Sequence, residues 1–337
     1  MTGQQELDAA DYGLDRYPAI RLDCGGRPQP HAHVGDVRQV LGRELRDASL
    51  VIVQGDTSSA LGGALAGFDA GIPVAHVEAG LRTHDARLPW PEEEYRVAID
   101  AKAELLFAPT QTAAQNLRNE GVAGEIFVTG NTGIDALLRV EASLPPLPPS
   151  ERLLPHILVT CHRRESWGRG LASIGAALIQ LASLETAQIN LVLHPNPRVA
   201  LSMREMLEGV SNVALIEPCS HRELVSMMRE ADLILSDSGG IQEEAPALGT
   251  PLLVLRDKTE RPEAVATGNA RLVGTATRNI VDEASRLLGD PLALAVMSRR
   301  AFPFGDGYAG PHIAFLIDQW LCRAGNRALK AAAGQQP

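Results

Sequence analysis

From residue 49 onward, short runs of aliphatic and β-branched residues alternate with longer stretches whose apolar positions recur every three or four residues. The short runs predict strands at 50–53, 73–77, 105–108 and 126–129. The periodic stretches predict helices at 58–69, 92–102, 110–120 and 132–141. A strand, a crossover helix and another strand, repeated, is the pattern of a parallel sheet with helices on its faces. Thr110 and Asp135 carry side chains suited to open helices, and Gly71 and Gly121 suit their ends.

The series is interrupted at Leu144-Pro145-Pro146-Leu147-Pro148-Pro149-Ser150. Four prolines remove backbone donors and fix φ, so the stretch can neither continue a helix nor pair as a central strand. It reads as a linker. A second series follows, with strands expected at 157–160, 189–194, 213–216, 233–236, 251–255 and 270–273. Helices are expected at 171–184, 198–207, 221–230, 241–248 and 278–288. The implied organisation is α/β, two doubly wound Rossmann-like domains at 1–145 and 151–310. An amphipathic helix at 311–330 would return to the first domain, and the Ala-rich tail at 331–334 would fray. Ligands of such sheets bind at the carboxyl ends of the strands, which predicts a cleft there.

At 337 residues the chain is long enough for two domains at roughly 150 residues each. Lys plus Arg number 31 against 41 Asp plus Glu, a formal net charge of -10, so no overall field favours nucleic acid or an anionic membrane. A negatively charged ligand must be met by local cations and backbone N–H groups. The longest apolar runs are strand-sized, well short of the roughly 20 residues that span a bilayer. The first residues lack the basic and apolar regions of a secretory signal, which predicts a cytoplasmic protein. Cys24, Cys161, Cys219 and Cys322 are scattered without CxxC spacing, so reduced structural thiols are expected and no zinc cluster.

The chemistry gathers where strands end. After the first strand comes Gln54-Gly55-Asp56-Thr57-Ser58-Ser59, a carboxylate beside a glycine, placed for acid–base work or for capping the next helix. The next strand ends in His76-Val77-Glu78-Ala79-Gly80-Leu81-Arg82. Glu78 and Arg82 can face a ligand or pair with each other. In Pro89-Trp90-Pro91-Glu92-Glu93-Glu94-Tyr95-Arg96, Pro91 suits the first helical turn and Glu92 the positive end of the helix dipole. Asp56, Glu78 and Glu92 on one rim would push their pKa values apart and separate an acid from a base.

In the second series, Cys161-His162-Arg163-Arg164-Glu165-Ser166 groups a histidine with two guanidinium groups, suited to a diphosphate or to a solvated basic turn. Ser236-Asp237-Ser238-Gly239-Gly240-Ile241-Gln242-Glu243-Glu244 joins a strand to a helix start, where N–H groups favour phosphate. Glu244 can accept ribose hydroxyls or be an ordinary helical Glu. Arg261, in Arg256-Asp257-Lys258-Thr259-Glu260-Arg261-Pro262-Glu263, adds a cation. His194 in His194-Pro195-Asn196-Pro197 lines the cleft or is structural. His31 and His33 fall in the proline-containing stretch 28–33 and read as loop residues.

Taken together, GDTSS, HVEAGLR, PWPEEE, TGNTGIDAL, CHRRESWGRG, HPNP, SDSGGIQEEAP and RDKTERPEA resemble the non-hydrolysing UDP-N-acetylglucosamine 2-epimerases from about Ser49 to Gly307. That resemblance implies a glycosyltransferase-B-like fold and interconversion of UDP-GlcNAc and UDP-ManNAc without NAD or metal. UDP would leave C1 as the C2 proton is removed, giving a 2-acetamidoglucal, and then add back. By the family's motifs Asp56, Glu78 and Glu92 match acid–base carboxylates and His162 the catalytic histidine. Ser238, Gly239, Gly240 and Glu244 match uridine diphosphate and ribose contacts, Arg261 a further ligand position. A homodimer and a role in surface polysaccharide assembly are also implied.

The chain departs from the pattern in three respects. The family's opening Gly-Thr-Arg-Pro-Glu segment has no counterpart, which predicts an incomplete N-terminal sheet. Gln5 and the segment 24–28 alter the effector-site signatures and speak against allosteric activation by UDP-GlcNAc. Tyr95 and Cys161 replace Asn and Gly close to the expected site. Two other readings remain open on the residues: a UDP-sugar-binding homologue without turnover, and a hydrolysing variant releasing UDP and ManNAc.

Overall fold

The protein is described here by a computed structural model covering residues 29–45, 47–147, 153–161 and 168–333, with side chains as far as 324. The chain divides into two units between Thr129 and Gly130. In the first unit the order is α1 (Pro30–Leu41), β1 (Val51–Gln54), α2 (Ser58–Asp69), β2 (Val74–Val77), α3 (Glu92–Asp100), β3 (Leu105–Ala108), α4 (Gln111–Glu120) and β4 (Glu125–Val128). The four strands form one parallel sheet in the order β1-β2-β3-β4.

Strand periodicity decides what each face buries. Val51 and Val53 point into a core shared with Ala60, Leu61 and Ala64 of α2 and with Tyr95 and Ile99 of α3, whereas Ile52 between them is 55% exposed. Helix α1 corrects the expectation of a loop around His31 and His33. Pro30 stands in its first turn, and Val34 and Val37, three apart, turn inward with His33. The segment on which the incomplete sheet and altered effector signatures were inferred, including Gln5 and Cys24, lies outside the described residues.

The second unit begins with α5 (Thr132–Ser143), followed by β5 (His156–Thr160), α6 (Arg169–Ser183), β6 (Gln188–Val192), α7 (Pro197–Leu207), β7 (Val213–Ile216), α8 (His221–Glu230), β8 (Leu233–Ser236), α9 (Gly239–Leu248) and β9 (Leu252–Val254). Then come α10 (Pro262–Ala266), β10 (Ala270–Leu272), α11 (Thr277–Leu288), α12 (Pro291–Met297) and α13 (Ala309–Ala333). Its six strands are all parallel, in the order β10-β9-β8-β5-β6-β7. Successive residues of the central strands feed two cores. Ile157, Val159, Leu233 and Leu235 lie on one face, and Leu158 and Ile234 on the other. This is a doubly wound sheet, and its strand order reverses between β5 and β8.

Helix α5 precedes the proline-rich stretch in sequence yet packs on α8 and α9 in the second unit, and α13 packs on α5 there. The Ala-rich residues 331–333, expected to fray, belong to α13. Asp135 does not open α5; the Asn131 side chain does, accepting from the Gly133 N–H. The Asp135 carboxylate instead accepts from the N–H groups of Ala309 (3.0 Å) and Gly310 (2.7 Å), the first turn of α13. Removing such a cap costs about 1 kcal/mol. Asp135→Ala is therefore expected to lower stability by about that amount in urea unfolding and to speed amide exchange at the start of α13.

Candidate active site

In the first unit the site is built where β1 and β2 stop. The pairing of Gln54 with Val77 sets Asp56 and Glu78 just past the ends of adjacent strands, which lie about 4.8 Å apart. Glu78 has φ of 71°, a left-handed backbone that costs a non-glycine residue on the order of 1–3 kcal/mol. Its Oε2 comes within 3.4 Å of where a Cβ on Gly55 would stand. Gly55, itself at φ 67°, is favoured by the turn, while a side chain there would only touch the neighbouring carboxylate.

Asp56 does not cap α2; Thr57 does, accepting from the Ala60 N–H. The Asp56 carboxylate, partly open to solvent, takes two hydrogen bonds from Arg96, at 3.0 Å from Nε and 2.5 Å from Nη2. Arg96 also donates to Glu93 at 3.0 Å, and Glu93 in turn accepts from the Thr83 and His84 N–H groups. Glu92 is the first residue of α3, half-buried, one turn before Arg96; Pro91 is the cap residue before it, outside the helix proper. The approach to this helix contains cis peptides at Leu88-Pro89 and Trp90-Pro91. The structure thus brings Asp56, Glu78 and the first turns of α3 together on one rim.

Beneath that rim lies a buried network. His76 and Asp100 are fully buried and bonded at 2.6 Å, and Asp100 also meets the Gly80 N–H at 3.1 Å and Arg82 at 2.8 Å. Burial pushes the Asp100 carboxyl up, but bonds and charges from His76 and Arg82 outweigh it and hold it below the usual carboxylate range. Arg82 does not pair with Glu78 among these contacts. Its guanidinium, 1% exposed, goes to Asp100, to Glu120 at 2.6 and 2.7 Å, and to the Leu81 carbonyl. The expectation of Arg82 as a ligand contact is corrected accordingly: the charge is spent inside the fold.

In the second unit β5 and β8 end side by side at the reversal of strand order, where Thr160 pairs with Ser236 and their hydroxyls bond at 2.7 Å. Past β8, Ser238 donates its N–H to Ser236 Oγ, and α9 opens with Gly239 and Gly240. Its first turn has no side-chain cap and no acidic residue, so its N–H groups and dipole are disposed toward an anion. Past β5 come His162 and Arg163, which lie outside the described residues. Cys161 is buried, and burial, with Asp237 adding to it, pushes its thiol well up. His194 accepts the Asn196 N–H on Nδ1 at 2.8 Å.

Arg261 is buried rather than presented to the rim. It bonds Glu243 at 2.5 Å and also Glu260, and Glu243 accepts from Asn131 at 2.6 Å. Glu244 bonds His221 Nε2 at 2.9 Å. Among the described residues no group of three His, Cys, Asp or Glu side chains is placed to hold a metal ion, and no helix is long and apolar enough to cross a membrane. Reading the sequence for site residues passed over Glu93, Arg96, His76, Asp100 and His221. The spacing of Glu92 to Arg96 was a helical signal for one of them. Nothing local announces Asp100, which acts from the far end of α3.

The pair formed by His221 and Glu244 makes a titration prediction. The hydrogen bond that His221 donates to Glu244, with that carboxylate's charge, raises the His221 pKa, against burial, which lowers it. The pair therefore stabilises the fold fully below the ordinary histidine range near 6.5, and that contribution fades as pH rises through the raised value. NMR titration is expected to place His221 above its ordinary value, and Glu244→Gln to lower it.

A family model described as UDP-N-acetylglucosamine 2-epimerase matches residues 9–318. The UDP-N-acetylglucosamine 2-epimerase of Escherichia coli strain K12 is 48% identical over 276 residues, covering 77% of this chain and 73% of the relative. The crystal structure of the Neisseria meningitidis UDP-GlcNAc 2-epimerase bound to UDP-GlcNAc superposes with a TM-score of 0.81 at 38% identity, covering 87% of this chain and 84% of that one. The Methanocaldococcus jannaschii enzyme in complex with UDP-GlcNAc and UDP gives 0.81 at 31% identity, over 92% and 87%.

Proposed function

Because the chain belongs to the UDP-N-acetylglucosamine 2-epimerase family, we propose that it interconverts UDP-GlcNAc and UDP-ManNAc by eliminating and re-adding UDP. In the elimination the C2–H bond and the bond from C1 to the diphosphate oxygen break, and a C1–C2 double bond forms. The proton passes to one carboxylate, and a second returns a proton to the opposite face before UDP re-adds. The observation that carries this reading is the register that sets Asp56 and Glu78 past the ends of adjacent parallel strands, with Asp56 bonded to Arg96 of α3, the helix whose first residue is Glu92. General acid–base chemistry needs one group to take the proton and another to return one, and three carboxylates in different surroundings are available: Asp56 is bound by Arg96, Glu78 lies against Gly55, and Glu92 stands at a helix N-terminus.

The departing diphosphate is assigned to the second unit, to the open first turn of α9 after Ser238, and, by the family's motif, to His162 and Arg163. Glu244, half-buried on α9, is assigned to the ribose hydroxyls, which would compete for the oxygen that His221 holds. A nucleotide-sugar substrate fits a cytoplasmic enzyme that feeds ManNAc-type donors to surface polysaccharide assembly, and the family resemblance adds a homodimer.

Incubation with UDP-GlcNAc in deuterated water is expected to yield UDP-ManNAc with deuterium at C2. Asp56→Asn and Glu92→Gln should each reduce this by about 10²–10⁴-fold. Ser238→Asp, which sets a carboxylate against the incoming phosphate, should weaken UDP binding in calorimetry. UDP binding without C2 exchange would instead support a binding protein without turnover, and release of free ManNAc a hydrolase.

A further inference from the structure

Asp100 and the His76 that it holds take no part in the chemistry assigned above, yet they lie where the segments carrying all three carboxylates meet. His76 Nδ1 is 2.6 Å from Asp100 Oδ1, and Nε2 is 2.9 Å from the Gly55 carbonyl oxygen. A carboxylate and a carbonyl can only accept, so both ring nitrogens must donate and the ring carries two protons. The surrounding charges agree with this: Asp100 bonds the ring from a fully buried position and shares its other cation, Arg82, with Glu120, whose side chain is one-third exposed.

Two bonds of the cluster end beside proposed acid–base residues, and a third anchors the helix that carries the last. Gly55 is the residue before Asp56. Gly80, whose N–H bonds Asp100 at 3.1 Å, is two residues after Glu78. Asp100 closes α3, the helix that Glu92 opens and from which Arg96 grips Asp56. A Cβ on Gly80 would come within 2.3 Å of the Ala113 carbonyl oxygen, so α4 leaves this turn little room to shift by itself. We propose that His76, hydrogen-bonded through both ring nitrogens, is a positioning residue that holds the turn bearing Asp56 in register with the turn bearing Glu78. The proposal rests on the epimerase reading for what the register serves, and on the geometry alone for the clamp.

The groups facing the ring are Asp100 from α3, Gly55 and Glu78 at the ends of β1 and β2, and, through Asp100, Arg82 with its partner Glu120 on α4. Burial lowers the His76 pKa, and Asp100, the Gly55 carbonyl and Glu78 reverse this to a net rise. The ring should thus keep its charge, and the clamp its hold, as pH rises past the ordinary histidine range.

The test uses the full chain with ¹⁵N-labelled histidine, the His76 signals being assigned by their loss in His76→Gln. Both ring nitrogens are expected to carry protons at pH 7.5, above the ordinary histidine pKa of about 6.5; a ring with one proton there overturns the clamp. Since misplacing a catalytic group by about 1 Å can cost about 10²-fold, His76→Gln should lower kcat and C2 deuterium exchange together by about 10–10²-fold, with KM and UDP affinity little changed. A folded His76→Gln protein with unaltered kcat overturns the positioning role, as does a loss confined to KM. Should His76→Gln fail to fold, Asp100→Asn takes its place. It keeps an oxygen for Nδ1 while removing the charge, and is expected to let the ring lose its second proton and kcat fall; an unchanged ring and rate refute the proposal. A wild-type protein with no C2 exchange overturns the epimerase reading and with it the positioning role, whereas the ring's protonation still decides the clamp.

Discussion

A carboxylate with no exposed surface must be met by positive charge and N–H donors, because leaving it unpaired costs several kcal/mol. Asp100 is met by His76 of β2, by Arg82 past the end of that strand and by the Gly80 amide. That one requirement orders much of the first unit. It ties the last residue of α3 to the end of β2 and, through the other face of the imidazole, to the end of β1. With α3 fixed at its last turn, Arg96 in its middle reaches Asp56, and Glu93 closes the loop over Thr83 and His84. The rim is a consequence of the network beneath it.

The second unit meets a comparable constraint with different residues. Arg261 and Arg256 bring two positive charges, Glu243 and Glu260 two negative ones, and all four side chains are buried. Glu243 also takes the Asn131 amide, which ties α9 to the start of α5. Gln242, one residue earlier, donates to the Ser238 carbonyl and accepts from the Thr259 hydroxyl, so the segment after β9 braces the turn before α9. These bonds use up side chains near the strand ends and leave the first turn of α9 without a side-chain cap. Backbone dipoles rather than Arg261 are then what this turn offers an anion.

The strands and most helices were legible in the chain because short continuous apolar runs mark parallel strands buried on both faces, and a spacing of three or four marks helices. Ile157 and Leu158 feed opposite cores, and Val51 and Ile52 divide between core and solvent. What was missed follows from tertiary contacts. Pro28 and Pro30 suggested a loop, although Pro30 fits a first helical turn and Val34 and Val37 gave the spacing of α1. Asp135 was expected to open its own helix and caps one that starts 174 residues later in the chain, as its bond to Ala309 shows. Arg82 and Arg261 carry the residue type that grips phosphate, but an arginine's partners are set by which carboxylates the fold buries beside it. Asp100 and Glu120 claim the first, Glu243 and Glu260 the second. Residue type and strand-end position suggested both roles, and only the packing distinguishes them.

Stability alone does not account for these networks. Buried ion pairs can often be replaced by well-packed apolar residues with no loss, and sometimes with a gain, in stability. Apolar packing is directionless, however, while a carboxylate bonded to an imidazole, a guanidinium and an amide admits few arrangements. At the ends of β1 and β2 the backbone leaves regular pairing, and Glu78 is held in a left-handed conformation that no ladder would enforce. A turn in that state keeps its shape only if its surroundings over-determine it. The bonds from Asp100 to Gly80 and from His76 to Gly55 do so from below, and Arg96 does so for Asp56 from the side. Charge is buried at those points because hydrophobic contact could hold the turns in place without orienting them.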